Sequence, residues 1–527
     1  MTSQQHNAPG NLVDVLRRAQ EKHPDRTAVV FGSKEINYAD LFKESCRVAS
    51  ALRAAGAKQG EKIAILLDNS PEFITAYFGI LLNRNIVVPI NHMFKREEIK
   101  YILDDSEATG LITSAAYACM ADELSAMTDK LAFVLQASWI RDQPLEKENF
   151  HHPQKDASGP NELAVFLYTS GTTGHPKAAM LTHGNLLSNV RSSSQCIRVS
   201  PKDTFICFLP LFHSFAATVC MLMPLVAGAK TVIMKSPRPI KKLLRTIRKH
   251  RVTIFVGIPS IYGILKDTKL PRFLPPVLLR LLNPIRLAIS GAAALPVEVF
   301  LGFEKKFRMP LLEGYGLTEA SPVVSLNPLR GPRKPGSIGL PLPDVRVKIV
   351  NDRGDALGPE QEGELCVKGP NVMLGYYKKE EDNGQALKDG WLLTGDMARI
   401  DRDGYIVIMG RKKDMVNVRG LNVYPREIEE VLYRHPAIRE AAVIGVPDPH
   451  KGEVPKGYVV LKKEGSLTSH DIIVYLRPHL ADYKIPRKIE IRNELPKNSS
   501  GKILKRILIE ESSSQDASAN GLPRKDR

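Results

Sequence analysis

The run Leu163-Ala164-Val165-Phe166-Leu167-Tyr168-Thr169-Ser170-Gly171-Thr172-Thr173-Gly174-His175-Pro176-Lys177 begins apolar and ends in hydroxyls, glycines and a lysine. Residues 163–167 read as a buried strand. From Thr169 to Gly174 the composition is that of a phosphate loop. Gly171 and Gly174 let backbone amides come close to a polyphosphate, and the hydroxyls of Thr169, Ser170, Thr172 and Thr173 add donors. Lys177 supplies a compact positive charge. The order differs from a Walker loop, in which Gly-Lys-Ser/Thr runs straight into a helix; here Pro176 turns His175 away from helical geometry. Lys177 is therefore expected on a mobile loop that folds over the outer phosphates. A plain linker is the alternative, but linkers seldom connect a buried strand to Pro-Lys and then Leu181-Thr182-His183.

The flanks fit a layered α/β architecture. Residues 62–67 read as a buried strand, Ser70-Pro71 with Phe73, Ala76, Tyr77 and Ile80 as a capped amphipathic helix, and residues 86–90 as the next strand. This alternation runs from Asn11 to about Ile338. After about Gly336 the texture is β-rich, with strands at 345–350 and 363–368 and a hairpin whose turn is Asp401 to Gly404. Asp401 and Asp403 suggest a calcium loop, but its later acidic positions are missing, so the turn reading wins. From about Arg411 a smaller α+β unit follows, with helices at 425–432 and 472–480 and strands at 441–446 and 457–462. The Ser-rich residues 512–527 are expected to be a disordered tail.

The chain has 527 residues, too many for one hydrophobic core, so several lobes are expected. Hydrophobic residues at 43% and charged residues at 25% exclude a fibrous or globally disordered chain. The polar start lacks the apolar core of a signal peptide, which points to a cytoplasmic protein. Six scattered cysteines argue against a disulfide framework or a zinc site. Residues 205–229 are apolar enough to suggest a membrane span, but Pro210, His213 and Pro224 interrupt them, which favours buried core.

The net charge is +17, and residues 230–286 alone carry fourteen Lys and Arg against one acid, Asp267. A solvated helix face is one reading, since Ile240, Leu243, Leu244 and Ile247 recur at helical spacing. Contact with anionic lipid, inside the cell at the membrane periphery, is the other, supported by the apolar run 273–279. Nucleic acid fits poorly, because aromatics for base stacking and a recognition motif are both missing.

The strap, continued to His183, resembles the signature of the adenylate-forming superfamily of acyl-CoA synthetases, luciferases and peptide-synthetase adenylation domains. Four more segments agree in order: Glu313-Gly314-Tyr315-Gly316-Leu317-Thr318-Glu319, Thr394-Gly395-Asp396, Gly410-Arg411-Lys412-Lys413-Asp414 and Asn498-Ser499-Ser500-Gly501-Lys502. The resemblance spans residues 12–506. It implies a large N-terminal domain (1–410), a small mobile C-terminal domain (411–511) and a site between them using ATP, Mg²⁺ and CoA.

The resemblance also implies roles. Ser170, Gly171, Thr172, Thr173, Gly174, Thr169 and Lys177 would hold phosphates. Glu313, Gly314 and Tyr315 would contact the nucleotide, Tyr315 stacking on adenine, while Thr318 meets phosphate and Glu319 ligates Mg²⁺. Gly291 and Ala292 would line the adenine and acyl carbonyl region, with His213 beside the acyl group, although a lone histidine in an apolar run is more often core. Asp396 would accept both ribose hydroxyls and Arg411 assist nearby. Lys502 would stand between carboxylate and α-phosphate, which at ~4 Å repel by about 1 kcal/mol in water and about 4 kcal/mol at a dielectric of 20. Lys413 matches the hinge, and Gly420, beside Arg419, would receive the pantetheine arm. Three positions depart from common family usage: Ala178, Asn417 and Arg419.

The wording Gly420-Leu421-Asn422-Val423-Tyr424-Pro425 looks most like medium- or long-chain fatty acyl-CoA ligases. A fatty acid–CoA ligase is therefore expected. The alternatives are an enzyme loading a carrier-protein thiol, an aryl-CoA ligase, or a basic membrane-adhering protein with degenerate ATP machinery.

Overall fold

A computed structural model describes residues 10–142, 159–169, 175–268, 283–448, 450–499 and 501–519, the side chains of 141–142 and 515–519 excepted. The fold is α/β. Among the described residues, one sheet of seven strands runs Gly375–Tyr376, Lys177–Thr182, Leu163–Thr169, Ile86–Pro89, Lys62–Leu66, Ala108–Thr113, Phe133–Gln136. A second, of nine, has Thr204–Cys207, Ile254–Gly257, Leu287–Ser290 and Leu311–Gly316 near its middle. Their parallel central strands are buried on both faces, which is why they read as continuous apolar runs.

Local chemistry explains the helices. Ser70 accepts from Phe73 N and Pro71 occupies the first turn of Pro71–Leu82, so the capped helix appears as the sequence predicts. Residues 205–229 enter the core as a strand and a broken helix, and no helix among the described residues is long and apolar enough to cross a membrane. The break has a cause. Pro224 cannot donate to the carbonyl of Cys220, and the Thr231 hydroxyl bonds that oxygen instead, at 2.9 Å, where the helix widens to a π turn over Ala217–Leu222.

The β-rich region forms as expected, with Arg346–Val350, Gly363–Lys368, Trp391–Ile400 and Ile406–Arg411 in one antiparallel sheet. Lys334 Nζ lies 2.6 Å from both Asp401 and Asp403, so an ammonium already satisfies the two acids of the hairpin turn. Beyond it a separate core is built from Val416, Ile428, Val443, Val459, Ile472 and Ile489, around the long hairpin Ile438–Asp448 and Gly452–Leu461.

Two expectations are corrected, and part of the basic stretch is found paired. Lys177 is no loop residue: it opens the strand Lys177–Thr182 and faces Thr169 in register, because the hairpin stem pairs as far as its last polar residues. Residues 505–519 are helical, so the expected disorder from 512 fails at least to 519; Leu508 packs with Tyr458, and Ser512, 2% exposed, accepts from Lys456 Nζ at 3.0 Å. The basic stretch 230–286 is not uniformly free. Arg286 makes a two-pronged ion pair with buried Asp203 (2.7 and 2.9 Å), and Lys266 lies 3.5 Å from Glu298. The apolar run 273–279 lies outside the described residues.

Candidate active site

The hairpin Trp391–Ile400/Ile406–Arg411 sets Asp396 directly opposite Arg411, and their side chains meet at 3.2 Å. Asp396 is held from both sides. Arg411 Nε reaches Oδ1, while the Tyr315 phenol donates to Oδ2 at 2.5 Å. Each carboxylate oxygen has two lone pairs, so a diol can still be accepted. Burial, the Asp396 charge and the hydrogen bond to it keep the Tyr315 phenol protonated well beyond neutral pH. Burial works against the Arg411 charge, but Asp396, Tyr315, Asp414 and Glu319 together outweigh it and raise its pKa, so Arg411 stays charged.

Lys502, on the small domain, stands near enough to this group for its ammonium to feel the charges of Arg411 and Asp396. Its own backbone turn is fixed by Asn498, whose side chain accepts from Lys502 N at 2.9 Å, while Gly501 supplies a φ of 78°. The side chain opens onto the cleft, yet the walls and then Arg411 lower its pKa to about 8, with Asp396 and Asp414 opposing. At neutral pH the ammonium remains largely protonated.

Thr318 and Glu319 lie on a short turn, Thr318–Ala320. Ser214 Oγ is 3.3 Å from Thr318 Oγ1, and the Tyr376 phenol donates to Glu319 Oε1 at 2.8 Å. Tyr376 also faces the Lys177 ammonium, 5.6 Å from its ring centre. Lys177 itself is ion-paired with Asp382. Thr169 ends its strand opposite Lys177, whereas Ser170, Gly171, Thr172, Thr173 and Gly174 lie outside the described residues.

Among the described residues no three His, Cys, Asp or Glu side chains gather to hold a metal. Glu319, one oxygen committed to Tyr376, fits Mg²⁺, which commonly takes one or two carboxylates and completes its shell with water and substrate phosphate.

Gly291 follows the strand Leu287–Ser290, and a Cβ there would lie 2.8 Å from the Phe215 ring. Ala292 turns away with a φ of 68°. His213 is 2.7 Å from Ser499 Oγ, and burial lowers its pKa to about 4. Next to this contact is a cavity of about 280 Å³ lined by Asp68, His92, Lys235, Ile258 and Ser499.

Two expected residues stand apart. The Glu313 carboxyl is buried, accepts from Leu295 N at 2.9 Å and is pushed up to about 7 by burial, with Arg426 opposing and Glu430 reinforcing. Its charged neighbours, Arg426 and Glu430, belong to the small domain. Gly420 sits in an exposed hairpin turn, φ 85°, its N–H bonded to Asn417 Oδ1. Tyr376, Asp382 and Ser499 were missed by sequence reasoning. The pair Gly375-Tyr376 on a conspicuous Gly-Tyr-Tyr was the available signal for the first.

Comparison with known proteins agrees with this geometry. Residues 16–377 match the AMP-binding enzyme family and residues 427–502 match the AMP-binding enzyme C-terminal domain. A long-chain-fatty-acid–CoA ligase of Bacillus subtilis (strain 168) is 35% identical, covering 95% of this chain and 94% of its own length. A feruloyl-CoA synthase of Amycolatopsis sp is 34% identical, with 93% and 96% covered. Among solved structures, an anthranilate CoA ligase in complex with anthranoyl-AMP aligns with a TM-score of 0.88 at 28% identity, covering 98% of this chain and all of its own. The o-succinylbenzoate CoA synthetase of Bacillus subtilis with ATP and magnesium ion aligns at 0.82 and 29% identity, with 93% and 98% covered. The chain therefore belongs to the AMP-binding enzyme family, carrying both its large domain and its C-terminal domain.

Proposed function

We propose that this chain joins a long-chain fatty acid to CoA in two steps, carboxylate plus ATP giving acyl-adenylate and pyrophosphate, then CoA thiol giving acyl-CoA and AMP. The observation that carries the first step is Lys502, set by the small domain beside Asp396 of the large one and its partner Arg411 at the boundary. A carboxylate approaching an α-phosphate there meets an ammonium that offsets their repulsion. Lys177 and residues 169–174 grip the outer phosphates, Tyr315 and Asp396 the nucleoside, and Thr318 the phosphate. Mg²⁺ on Glu319 neutralises charge on the phosphates. Gly291, Ala292, Phe215 and His213 border the acyl carbonyl. The relatives named long-chain-fatty-acid–CoA ligases support the choice of acid.

Lys413 is the hinge in this reading, with the domain boundary between 410 and 411. The chain is pinned up to Lys412, whose Nζ reaches Asp352 at 2.8 Å and Glu364 at 3.3 Å, and turns extended at Met415. Rotation there withdraws Lys502 and brings Gly420 toward the pantetheine arm.

A screen of carboxylic acids by pyrophosphate release, with and without CoA, tests the reading. Thioester formed only with a carrier protein would make the chain a carrier-loading enzyme. No release with any acid would leave the basic, membrane-adhering alternative.

The basic helix Ile240–His250 serves as a peripheral contact with anionic membrane. Lys241, Lys242, Arg245, Arg248 and Lys249 surround Leu244, itself 41% exposed, and none has an acidic partner among the described residues. Near a lipid surface each such cation contributes about 1 kcal/mol. Cosedimentation with phosphatidylserine vesicles, lost on replacing these five by Gln, is expected; equal binding to neutral vesicles would overturn it.

A further inference from the structure

The helix Val297–Phe307 of the large domain begins after Pro296, which offers no side-chain cap. Its first N–H would be an orphan donor. The carboxylate of Glu430, from the small domain, accepts that hydrogen from Val297 N at 3.2 Å. One helical turn earlier, Arg426 donates through Nη1 to the carbonyl of Ile408 at 3.0 Å. Ile408 lies on the strand Ile406–Arg411, in the sheet of the large domain. Arg426 and Glu430 are 4.0 Å apart and share one face of the helix Pro425–Arg434. Both are mostly buried, and behind them is the Glu313 carboxyl.

We infer that Arg426 and Glu430 form a latch between the domains, in which a helix cap supplied by the small domain holds it in the orientation that presents Lys502 to the site. The inference rests on the two-step ligase reading. Glu430 is a positioning residue: it touches no substrate and acts through where it sets Lys502. The cap needs an acceptor oxygen facing Val297 N, and a negative charge on it adds a smaller gain from the helix dipole. Any rotation about residues 411–414 carries the helix Pro425–Arg434 away from Val297 and Ile408, so both bonds must break before the second step. The latch therefore favours adenylation and opposes thioester formation.

The two ends of the cap can be removed separately. Glu430→Ala removes the acceptor. Val297→Pro removes the donor and keeps the helix, because Pro is well suited to a first helical position and Pro296 already has the extended backbone (ψ 136°) that a following proline requires. Each is expected to lower acid-dependent pyrophosphate exchange about fivefold, the size of a lost helix cap. The double variant should fall no further than either single one. Thioester formation from supplied acyl-adenylate should be unchanged or faster, and Glu430→Gln, which still offers an oxygen, should recover most of the exchange. Equal loss in both half-reactions, or multiplying losses in the double variant, would overturn the latch. Hydrogen exchange at the Val297 amide reads the bond without any reaction. Faster exchange in Glu430→Ala supports the cap even if no acid is activated, and unchanged exchange refutes it.

Discussion

His213 Nε2 and Ser499 Oγ stand 2.7 Å apart, one on the large domain and the other on the segment that delivers Lys502, 286 positions away. The contact exists only while that segment is docked. Because burial lowers the His213 pKa to about 4, the imidazole is neutral throughout the physiological range. His213→Ala should lower pyrophosphate exchange about fivefold, the worth of a typical hydrogen bond. It should leave the shape of the pH profile between about 6 and 7 unaltered, since an unperturbed histidine would titrate there and this one does not.

Lys502 sets the alkaline limb. Its folded pKa is lowered to about 8, so the ammonium is present below that pH and lost above it. Exchange is expected to decline about tenfold per pH unit beyond the midpoint, as for loss of a single required proton. Lys502→Arg should flatten the limb while reducing the maximum, and Lys502→Ala should abolish exchange yet spare the thioester step. A wild-type profile flat to well above pH 9 would remove the assignment.

Glu319 and Tyr376 should separate in a magnesium titration. Glu319→Gln takes away the ionised ligand, and half-saturating Mg²⁺ should rise well over tenfold. Tyr376→Phe leaves the carboxylate but frees the oxygen now bonded at 2.8 Å. A shift of about tenfold is expected, typical of an outer partner of a metal ligand.

Gly291→Ala would set a methyl 2.8 Å from the Phe215 ring. The ring must move toward the acyl region, so kcat/KM for long acids should drop about tenfold, the scale of a methylene-sized misfit in an apolar pocket. The KM for ATP should hold. Parallel changes in both would place Gly291 elsewhere.

Asp203 and Arg286 tie the strand Thr204–Cys207 to the start of Leu287–Ser290 through two charge-assisted bonds. Burial raises the Asp203 pKa, but Arg286, Thr253 and Ser200 together lower it, so its stabilisation is present at neutral pH and fades as pH falls through the acid range. Arg286→Met should cost about 2 kcal/mol, discounted for the partial exposure of the guanidinium. A lower thermal midpoint checks it, with the difference from wild type shrinking near pH 3.

The parts legible in the sequence were those with local signals. Ser70-Pro71 announced its helix, the apolar run at 62–67 its strand, and the ordered motifs placed Asp396, Arg411 and Lys502 on one list before any geometry brought them together. What stayed hidden depends on contacts between distant segments. Asp382, in the acidic run Glu380-Glu381-Asp382, reads as a solvated face, and only folding across 205 positions shows that it meets Lys177. Arg286 read as one more charge in a basic stretch because Asp203 lies 83 positions before it. Glu430 carries no motif, and its role exists only where two domains touch.

The strand Lys177–Thr182 is paired along its outer edge with Gly375–Tyr376, Tyr376 lying opposite Ala179. Tyr376 in turn steadies Glu319, and Met373 N bonds the Glu319 carbonyl at 2.8 Å. On the proposed assignment, the strand that would grip the triphosphate and the turn that would hold its counter-ion are tied together through Tyr376, so a displacement of one would be felt at the other. A triphosphate arriving without its ion, or seated one phosphate out of place, would then mismatch both contacts together, and the incoming nucleotide would be screened before any acid is committed.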